Sequence, residues 1–254
     1  MSQLANSLPV LMYHKISSGQ DSDGLTVGLR QLYQQFNLLK QQCYEPISAK
    51  QLISFVKFGT PLPPKPVLIT FDDGYACSYS VLYPVLQEFN FKAVIFIVPI
   101  FIDQPGFENA GTAYMTKAQI EAMDPAYVEF GLHSYRHANY SSMKIENIED
   151  DINKNIAAFQ SMKIPFEKVL AYPFGAYPKW NLWKQQAMIY SFKKNGIELA
   201  FRIGNRLNKL PFTRPYLIQR IDIRSDDPSD KFLSYLEVGK RKRITLMHSD
   251  RYRN

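Results

Sequence analysis

The chain has 254 residues, 46% of them hydrophobic, and no long polar tract, which suits one large domain or two small ones with a sizeable core. Its two cysteines, Cys43 and Cys77, are too few for a disulfide framework. No run of about 18 apolar residues is present, so no membrane-spanning segment is predicted. Residues 1–9 lack the basic and apolar parts of a secretory signal, so we expect a cytoplasmic protein, or one peripheral to the inner membrane.

The formal charge of +7 is partly clustered near the C-terminus. The basic residues concerned are Lys240, Arg241, Lys242 and Arg243, followed by Arg251 and Arg253. They form either a solvated basic end or a surface that attracts anionic lipid headgroups or phosphate-bearing substrates. The aromatic residues lie mostly in apolar runs and no recognition motif is present, so nucleic-acid binding is not expected.

Along the chain, short apolar runs alternate with segments of helical period. The runs predicted as strands are residues 9–13, 67–71, 93–98, 127–132, 169–172, 197–201, 217–223 and 244–247. They are rich in branched and aromatic residues and do not alternate cleanly with polar ones. This pattern is expected of strands that are buried on both faces.

Segments between these runs are predicted to be helical. Residues 29–39 and 145–159 each carry an apolar stripe at steps of three and four. Capping-box patterns mark the start of two further helices, at Ser48 with Gln51 and at Thr116 with Gln119. Because strands and helices alternate from end to end, we predict a single α/β domain over residues 1–254. A (β/α) barrel of about seven or eight parallel strands is favoured over an open sheet.

In such barrels the active-site groups gather at the C-terminal ends of the strands. His14, His133 and His248 each directly follow a predicted strand, and His137 comes four residues after His133. A scatter of surface histidines would rarely fall in this way. The histidines are therefore candidate functional residues.

Two carboxylates follow the strand predicted at residues 67–71. Asp72 and Asp73 repel each other and lose hydration at a buried strand end, so a nearby cation would relieve both. Side chains of adjacent residues on a regular strand point to opposite faces. Both carboxylates can serve one site only if the strand ends here, which Gly74 allows.

The two histidines four residues apart suggest metal ligands. His133 and His137 lie on one face if their segment forms a helical turn. Two imidazole nitrogens and one carboxylate oxygen make a three-ligand metal site with open positions. Each pattern is common by itself, but their combination at predicted strand ends favours a metal centre.

These motifs resemble those of the polysaccharide deacetylase family, also called the NodB-homology or carbohydrate esterase family 4 proteins. The resemblance rests on residues 70–74 (Thr-Phe-Asp-Asp-Gly), 133–137 (His-Ser-Tyr-Arg-His), 172–175 (Tyr-Pro-Phe-Gly) and 246–248 (Leu-Met-His). Residues 11–14 and 44–48 are similar to the branch that includes poly-N-acetylglucosamine deacetylases. The motifs occur in family order and span nearly the whole chain.

The resemblance implies a distorted (β/α) barrel and hydrolytic N-deacetylation of an N-acetylhexosamine unit. The substrate would be a bacterial surface glycan or its lipid-linked or lipopolysaccharide precursor. Asp73, His133 and His137 would bind a divalent metal, usually Zn²⁺, with Co²⁺ or Ni²⁺ as alternatives. Asp72 would be the general base, and His248 would protonate the departing amine.

The resemblance also implies a set of substrate-binding residues. These are Tyr172, Pro173, Phe174 and Gly175, whose loop would offer a backbone N–H near Phe174, and Leu246, which would line the pocket for the acetyl methyl. His14 would either line the sugar groove or form a structural hydrogen bond beneath the site. The expected partner is an N-acetylated glycan or glycolipid, and the protein is expected to be a monomer.

Two family features are missing from the sequence. The Arg that commonly orients the catalytic base would fall at about Ala171 or Tyr172, and no Asp-Trp pair precedes the final His. Arg220 or Asp222 could replace them, although both also fit edge-of-strand charges. Two other functions stay open: hydrolysis of a non-sugar amide or cyclic imide, and glycan binding without catalysis.

Overall fold

The computed structural model describes residues 5–19, 23–104 and 113–240. The strand predicted at 244–247 lies outside the described residues, as do Leu246 and His248. The same holds for the basic residues Arg241, Lys242, Arg243, Arg251 and Arg253.

The described chain alternates strands and helices. The strands are β1 (Ser7–Leu8), β2 (Val10–Tyr13), β3 (Lys15–Ser17), β4 (Thr26–Gly28), β5 (Glu45–Pro46), β6 (Pro66–Phe71), β7 (Ala93–Ile97), β8 (Val128–Leu132), β9 (Val169–Ala171), β10 (Leu199–Ile203), β11 (Asn208–Lys209) and β12 (Ile218–Asp222). The α-helices are α1 (Leu29–Gln41), α2 (Ala49–Phe58), α3 (Tyr83–Phe89), α4 (Lys117–Glu121), α5 (Ile145–Ser161), α6 (Leu182–Lys194) and α7 (Phe232–Val238).

Seven parallel strands form a closed barrel. Their order around it is β2, β6, β7, β8, β9, β10 and β12, and β12 pairs with β2 through Ile221 opposite Leu11 to close the ring. The short β5 pairs with the start of β6 as an additional strand. The predicted parallel α/β barrel is therefore confirmed, and the described strands close it without residues 244–247.

Alternate residues of the barrel strands belong to two different hydrophobic clusters. On β6, Leu68 belongs to a cluster with Phe96, Val169 and other alternate strand residues, which fills the barrel. The next residue, Ile69, belongs to the cluster that includes α1, α3, α5, α6 and α7. On β6, β7, β9 and β10 both faces thus carry buried apolar residues, which explains why the sequence showed no clean alternation.

The predicted helix signals are confirmed. Ser48 and Thr116 both form complete capping boxes, at the start of α2 and α4. The apolar stripes of α1 and α5 are buried against the barrel. The strand predicted to begin at Ile197 begins at Leu199, since the backbone N–H of Ile197 donates to Phe192 O at 2.9 Å and closes the end of α6. None of the described helices is both long enough and apolar enough to cross a membrane.

Gly131 on β8 allows close packing inside the barrel. A Cβ at this position would lie 2.7 Å from two ring carbons of Phe96 and 3.0 Å from Val169 Cγ2. We predict that Gly131→Ala lowers the free energy of unfolding by about 1–3 kcal/mol, because overpacking forces the neighbours to shift. Gly19→Ala is the control, since the nearest atom to its added Cβ is Ser17 Oγ at 3.5 Å, an ordinary contact distance. Equal denaturant midpoints for the two variants would contradict the packing argument.

Candidate active site

The side chains of the two adjacent aspartates, Asp72 and Asp73, diverge where β6 ends. The backbone N–H of Asp72 donates to Tyr13 O at 3.0 Å, which continues the pairing of β6 with β2 for one residue. Asp73 and Gly74 then adopt left-handed backbone conformations, with φ of 72° and 78°. Because the strand ends here, as predicted, the two side chains can serve one site.

Asp72 is paired with Arg220, which comes from β12. Arg220 Nη1 donates to Asp72 Oδ1 at 2.6 Å and Nη2 to Oδ2 at 2.7 Å. The arginine is fully buried, and its guanidinium lies 5.5 Å from the centroid of the Phe96 ring. Burial acts to raise the pKa of Asp72, but Arg220 and, after it, His133 outweigh this effect, so the pKa lies below its usual value. Arg220 therefore holds a buried, ionised carboxylate in a fixed orientation.

Three predicted metal ligands come together beside this pair. Asp73 Oδ1 lies 3.4 Å from His133 Nε2 and 3.3 Å from His137 Nε2. One ligand atom from each residue lies within 4.8 Å of the other two. Burial opposes ionisation of Asp73, but the two imidazoles outweigh it and hold the pKa of the carboxyl well below its usual value.

The chemistry of these donors fits a divalent metal. Zinc bonds of about 2.0–2.2 Å in a tetrahedral site place neighbouring ligand atoms about 3.3–3.6 Å apart. The two measured Asp73–histidine distances agree with that spacing. Asp73 Oδ1 is buried and lacks a hydrogen-bond donor among the described residues, as expected of a ligand atom. His133 Nδ1 lies 2.8 Å from Ala171 O, so Nδ1–H can donate there and leave Nε2 as an electron-pair donor.

The two histidines do not lie on a helical turn. Ser134 and His137 have positive φ values, 62° and 56°, and the segment folds as a non-helical turn. Ser134 Oγ accepts the N–H of Ala138 at 2.8 Å. The conditional helical prediction for 133–137 is therefore wrong. The turn nevertheless brings the two imidazole centroids to 5.1 Å from each other.

The predicted substrate loop contains buried and exposed side chains. Tyr172 and Pro173 are buried, and the Tyr172 hydroxyl donates to Tyr216 O. These two side chains are packed inside the protein, and their contacts with substrate stay a prediction. Phe174 is 63% exposed, and its ring meets the His137 ring at 4.5 Å. Gly175 is half-buried and has a left-handed φ of 63°.

His14 lies close enough to Asp72 and Asp73 to interact electrostatically with both. Its Nδ1 is buried and has no hydrogen-bond partner among the described residues. The structural hydrogen bond considered for His14 is therefore absent at this nitrogen. Among the described residues Asp222 forms an ion pair with Arg224 and not with Arg220, and its Oδ1 is likewise buried without a partner there.

Lys240 is already engaged in an ion pair. Its Nζ lies 2.6 Å from Asp227 Oδ1 and donates to Asp222 O at 2.9 Å. Lys240 thus has half-buried protein partners, and the anionic-lipid surface expected at residues 240–243 stays a prediction. Arg241, Lys242 and Arg243 lie outside the described residues.

Comparisons with known proteins agree with this architecture. A family model described as polysaccharide deacetylase matches residues 59–192, just over half of the chain. The Bacillus subtilis protein YxkH is 27% identical over 175 residues, which cover 69% of this chain and 59% of YxkH. The poly-beta-1,6-N-acetyl-D-glucosamine N-deacetylase of Staphylococcus aureus is 24% identical over 243 residues, covering 87% of this chain and 80% of that protein.

A solved structure shows the same fold. Streptococcus pyogenes deacetylase PplD in complex with acetate superposes with a TM-score of 0.77 at 18% identity, covering 91% of this chain and 98% of that chain. The matched residues 59–192 include Asp72, Asp73, His133, His137 and the 172–175 loop. The chain belongs to the polysaccharide deacetylase family.

Breaking the Asp72–Arg220 pair should be costly for stability. Arg220→Met leaves Asp72 buried without its counterion, and we predict a loss of about 3–5 kcal/mol in the free energy of unfolding. Adding Asp72→Asn to this variant removes the unpaired charge and should recover at least half of that loss. Both values are measured by chemical denaturation.

Arg224→Met is a matched control. Its guanidinium is partly exposed and forms longer contacts with Asp222 and Asp226. We expect a change of about 1 kcal/mol or less, as for exposed ion pairs. Equal losses for Arg220→Met and Arg224→Met, or no recovery in the double variant, would contradict the assigned pairing.

Proposed function

We propose that this protein is a metal-dependent N-deacetylase. It hydrolyses the acetamide of an N-acetylhexosamine unit in a bacterial surface glycan or in its lipid-linked or lipopolysaccharide precursor. The observation that carries the proposal is the placement of three metal-ligand side chains, Asp73, His133 and His137, next to the separately held carboxylate of Asp72. Membership of the polysaccharide deacetylase family supports the same reaction.

Asp73, His133 and His137 would hold the divalent metal, with Zn²⁺ expected first and Co²⁺ or Ni²⁺ as alternatives. The ion would supply Lewis-acid chemistry, lowering the pKa of a water molecule and polarising the acetamide carbonyl. The contact between His133 Nδ1 and Ala171 O supports this assignment, since it fixes the ring and directs Nε2 towards Asp73.

Asp72 would be the general base. Arg220 keeps this carboxylate ionised and orients both of its oxygens, and Oδ2 lies 3.8 Å from His133 Nε2, at the edge of the metal site. Asp72 would accept the proton of the attacking water. His248 would then protonate the departing amine, because an amide needs an acid as well as a base. That role rests on the 246–248 motif.

Phe174 supplies a candidate oxyanion donor. The N–H groups of Gly175 and Ala176 donate to Tyr172 O and Pro173 O. The N–H of Phe174 has no acceptor among the described residues, so it is available to a developing negative charge. Leu246 would line the pocket for the acetyl methyl, and His14 would line the sugar groove.

The aromatic surroundings of the metal site support a sugar substrate. Tyr75 stacks on Tyr114 at 5.1 Å between ring centroids, and Tyr114 stacks on Phe101 at 4.4 Å. The exposed Phe174 ring borders His137 on the same site. Aromatic walls with few polar groups are typical of ligand sites. The name of the Staphylococcus aureus relative favours β-1,6-linked N-acetylglucosamine as the first substrate to test.

The proposal also covers the extent of the domain, the oligomeric state, the location and the membrane contact. The domain would extend over residues 1–254, so that Leu246 and His248 belong to it. The protein would act as a monomer, in the cytoplasm or at the inner membrane. Residues 240–243 (Lys-Arg-Lys-Arg) would provide the contact with anionic lipid.

Replacing the base should separate catalysis from metal binding. Asp72→Asn is expected to reduce kcat for acetate release from β-1,6-linked N-acetylglucosamine oligomers by about 100-fold or more, because general-base catalysis is lost. The zinc content should stay the same, since Asp72 is not among the three ligands. Acetate release and bound zinc are measured on the same samples, with Asp226→Asn as a surface control.

Comparing several substrates in this assay decides between the candidate functions. Near-normal activity of Asp72→Asn would contradict the base assignment. Acetate release from lipopolysaccharide fragments but not from oligomers would place the substrate among glycolipid precursors. Tightly bound zinc with no release from any N-acetylated glycan would instead support a hydrolase of non-sugar amides or a non-catalytic glycan-binding protein.

A further inference from the structure

The turn that carries the two histidines is fastened to helix α5 by one buried carboxylate. Asp151 Oδ2 accepts the backbone N–H of Tyr135 at 3.1 Å and the hydroxyl of Tyr140 at 2.8 Å. Asp151 is only 3% exposed and Tyr140 is fully buried. Tyr135 lies between the two histidines, and Tyr140 lies three residues beyond His137. A single oxygen atom therefore fixes the chain on both sides of His137.

This turn needs external support. Ser134 and His137 both have left-handed φ values, which are unfavourable for residues with a Cβ. Such conformations persist where surrounding contacts determine them. The bond from Ala138 N–H to Ser134 Oγ lies within the turn itself. Asp151, in contrast, ties the turn to a helix of 17 residues that packs on the barrel.

The two histidines differ in how they are held. The His133 ring has its own partner at Ala171 O and is almost fully buried. Apart from its approach to Asp73, the His137 ring has no hydrogen bond to a side chain or a carbonyl in the described part of the chain. Its side chain is 23% exposed. Its position beside Asp73 thus depends mainly on where the backbone turn places it. Asp151 fixes that backbone.

We propose that Asp151 is a positioning residue for the metal site, which holds the 134–140 turn so that His137 Nε2 meets Asp73 Oδ1. This inference rests on the proposed function, since it concerns the same metal site. Asp151 does not contact the metal ligands' side chains and would act through the backbone of Tyr135 and the hydroxyl of Tyr140. Its carboxylate would therefore affect metal affinity before any substrate is present.

The neighbouring residue Asp150 provides a matched control. It precedes Asp151 on the same helix, but its side chain is 59% exposed and pairs with Lys154 on the surface. Removing its carboxylate should leave the turn untouched. The pair Asp151→Ala and Asp150→Ala thus compares the same chemical change at adjacent positions, buried and exposed.

The test is zinc affinity, measured in the full chain by competition with a chromophoric chelator and without substrate. We expect Asp151→Ala to raise the zinc Kd by about tenfold or more, the size of effect seen for groups that support metal ligands. Asp151→Asn should recover most of the affinity, because its amide oxygen can accept the same two hydrogen bonds. Tyr140→Phe should weaken binding to a smaller extent, and Asp150→Ala should have no effect.

The possible results distinguish failure of the positioning role of Asp151 from failure of the proposed function. Wild-type zinc affinity in folded Asp151→Ala, checked by circular dichroism, would overturn the positioning role while leaving the metal site intact. If Asp151→Ala does not fold, Asp151→Asn and Tyr140→Phe decide, and unchanged affinity in Tyr140→Phe would overturn the proposal. A wild-type protein that binds no zinc would overturn the metal site itself and this inference with it.

Discussion

Two adjacent carboxylates must stay ionised at a buried strand end, and each needs its own positive partner. Asp72 has a permanent one in Arg220, which meets it with two hydrogen bonds inside the barrel. Asp73 lies beside the imidazoles of His133 and His137, and its Oδ1 accepts no hydrogen bond in the described chain. A divalent cation between these three groups would complete the arrangement. Under the proposed function, Arg220 keeps Asp72 ionised so that it could accept a proton, and Asp73 would bind the metal.

The barrel makes this division possible. The side chain of Asp72 follows the inward direction of alternate β6 residues, whereas the left-handed backbone at Asp73 turns the next carboxylate towards the histidines. Closure of the ring through β2 brings Arg220 on β12 within reach of Asp72, although 148 residues separate them in sequence. The fold therefore brings Arg220 close to Asp72, and the turns at the strand ends orient Asp73 and the histidines towards each other.

The sequence predicted the parallel barrel, the capping boxes and the grouping of a carboxylate with His133 and His137, since strand-end placement is visible in local patterns. The family resemblance then assigned that carboxylate to Asp73. It left Arg220 undecided between a supporting role and an edge-of-strand charge, because its partner is set by barrel closure and not by neighbouring residues. A charged residue within an apolar strand was the available signal. The backbone conformation of residues 133–137 could not be predicted from the local sequence either. Its left-handed residues are held by contacts with distant residues such as Asp151. Burial of Tyr172 depended in the same way on packing around Tyr216.

Titration of metal-free protein with zinc, while acetate release from N-acetylated glycan oligomers is followed, tests the central claim most directly. The account predicts no release without metal, and activity that rises with bound zinc until one equivalent per chain is reached. Acetate release at full rate from metal-free protein would contradict it. So would binding of one equivalent of zinc with no activity on any N-acetylated glycan.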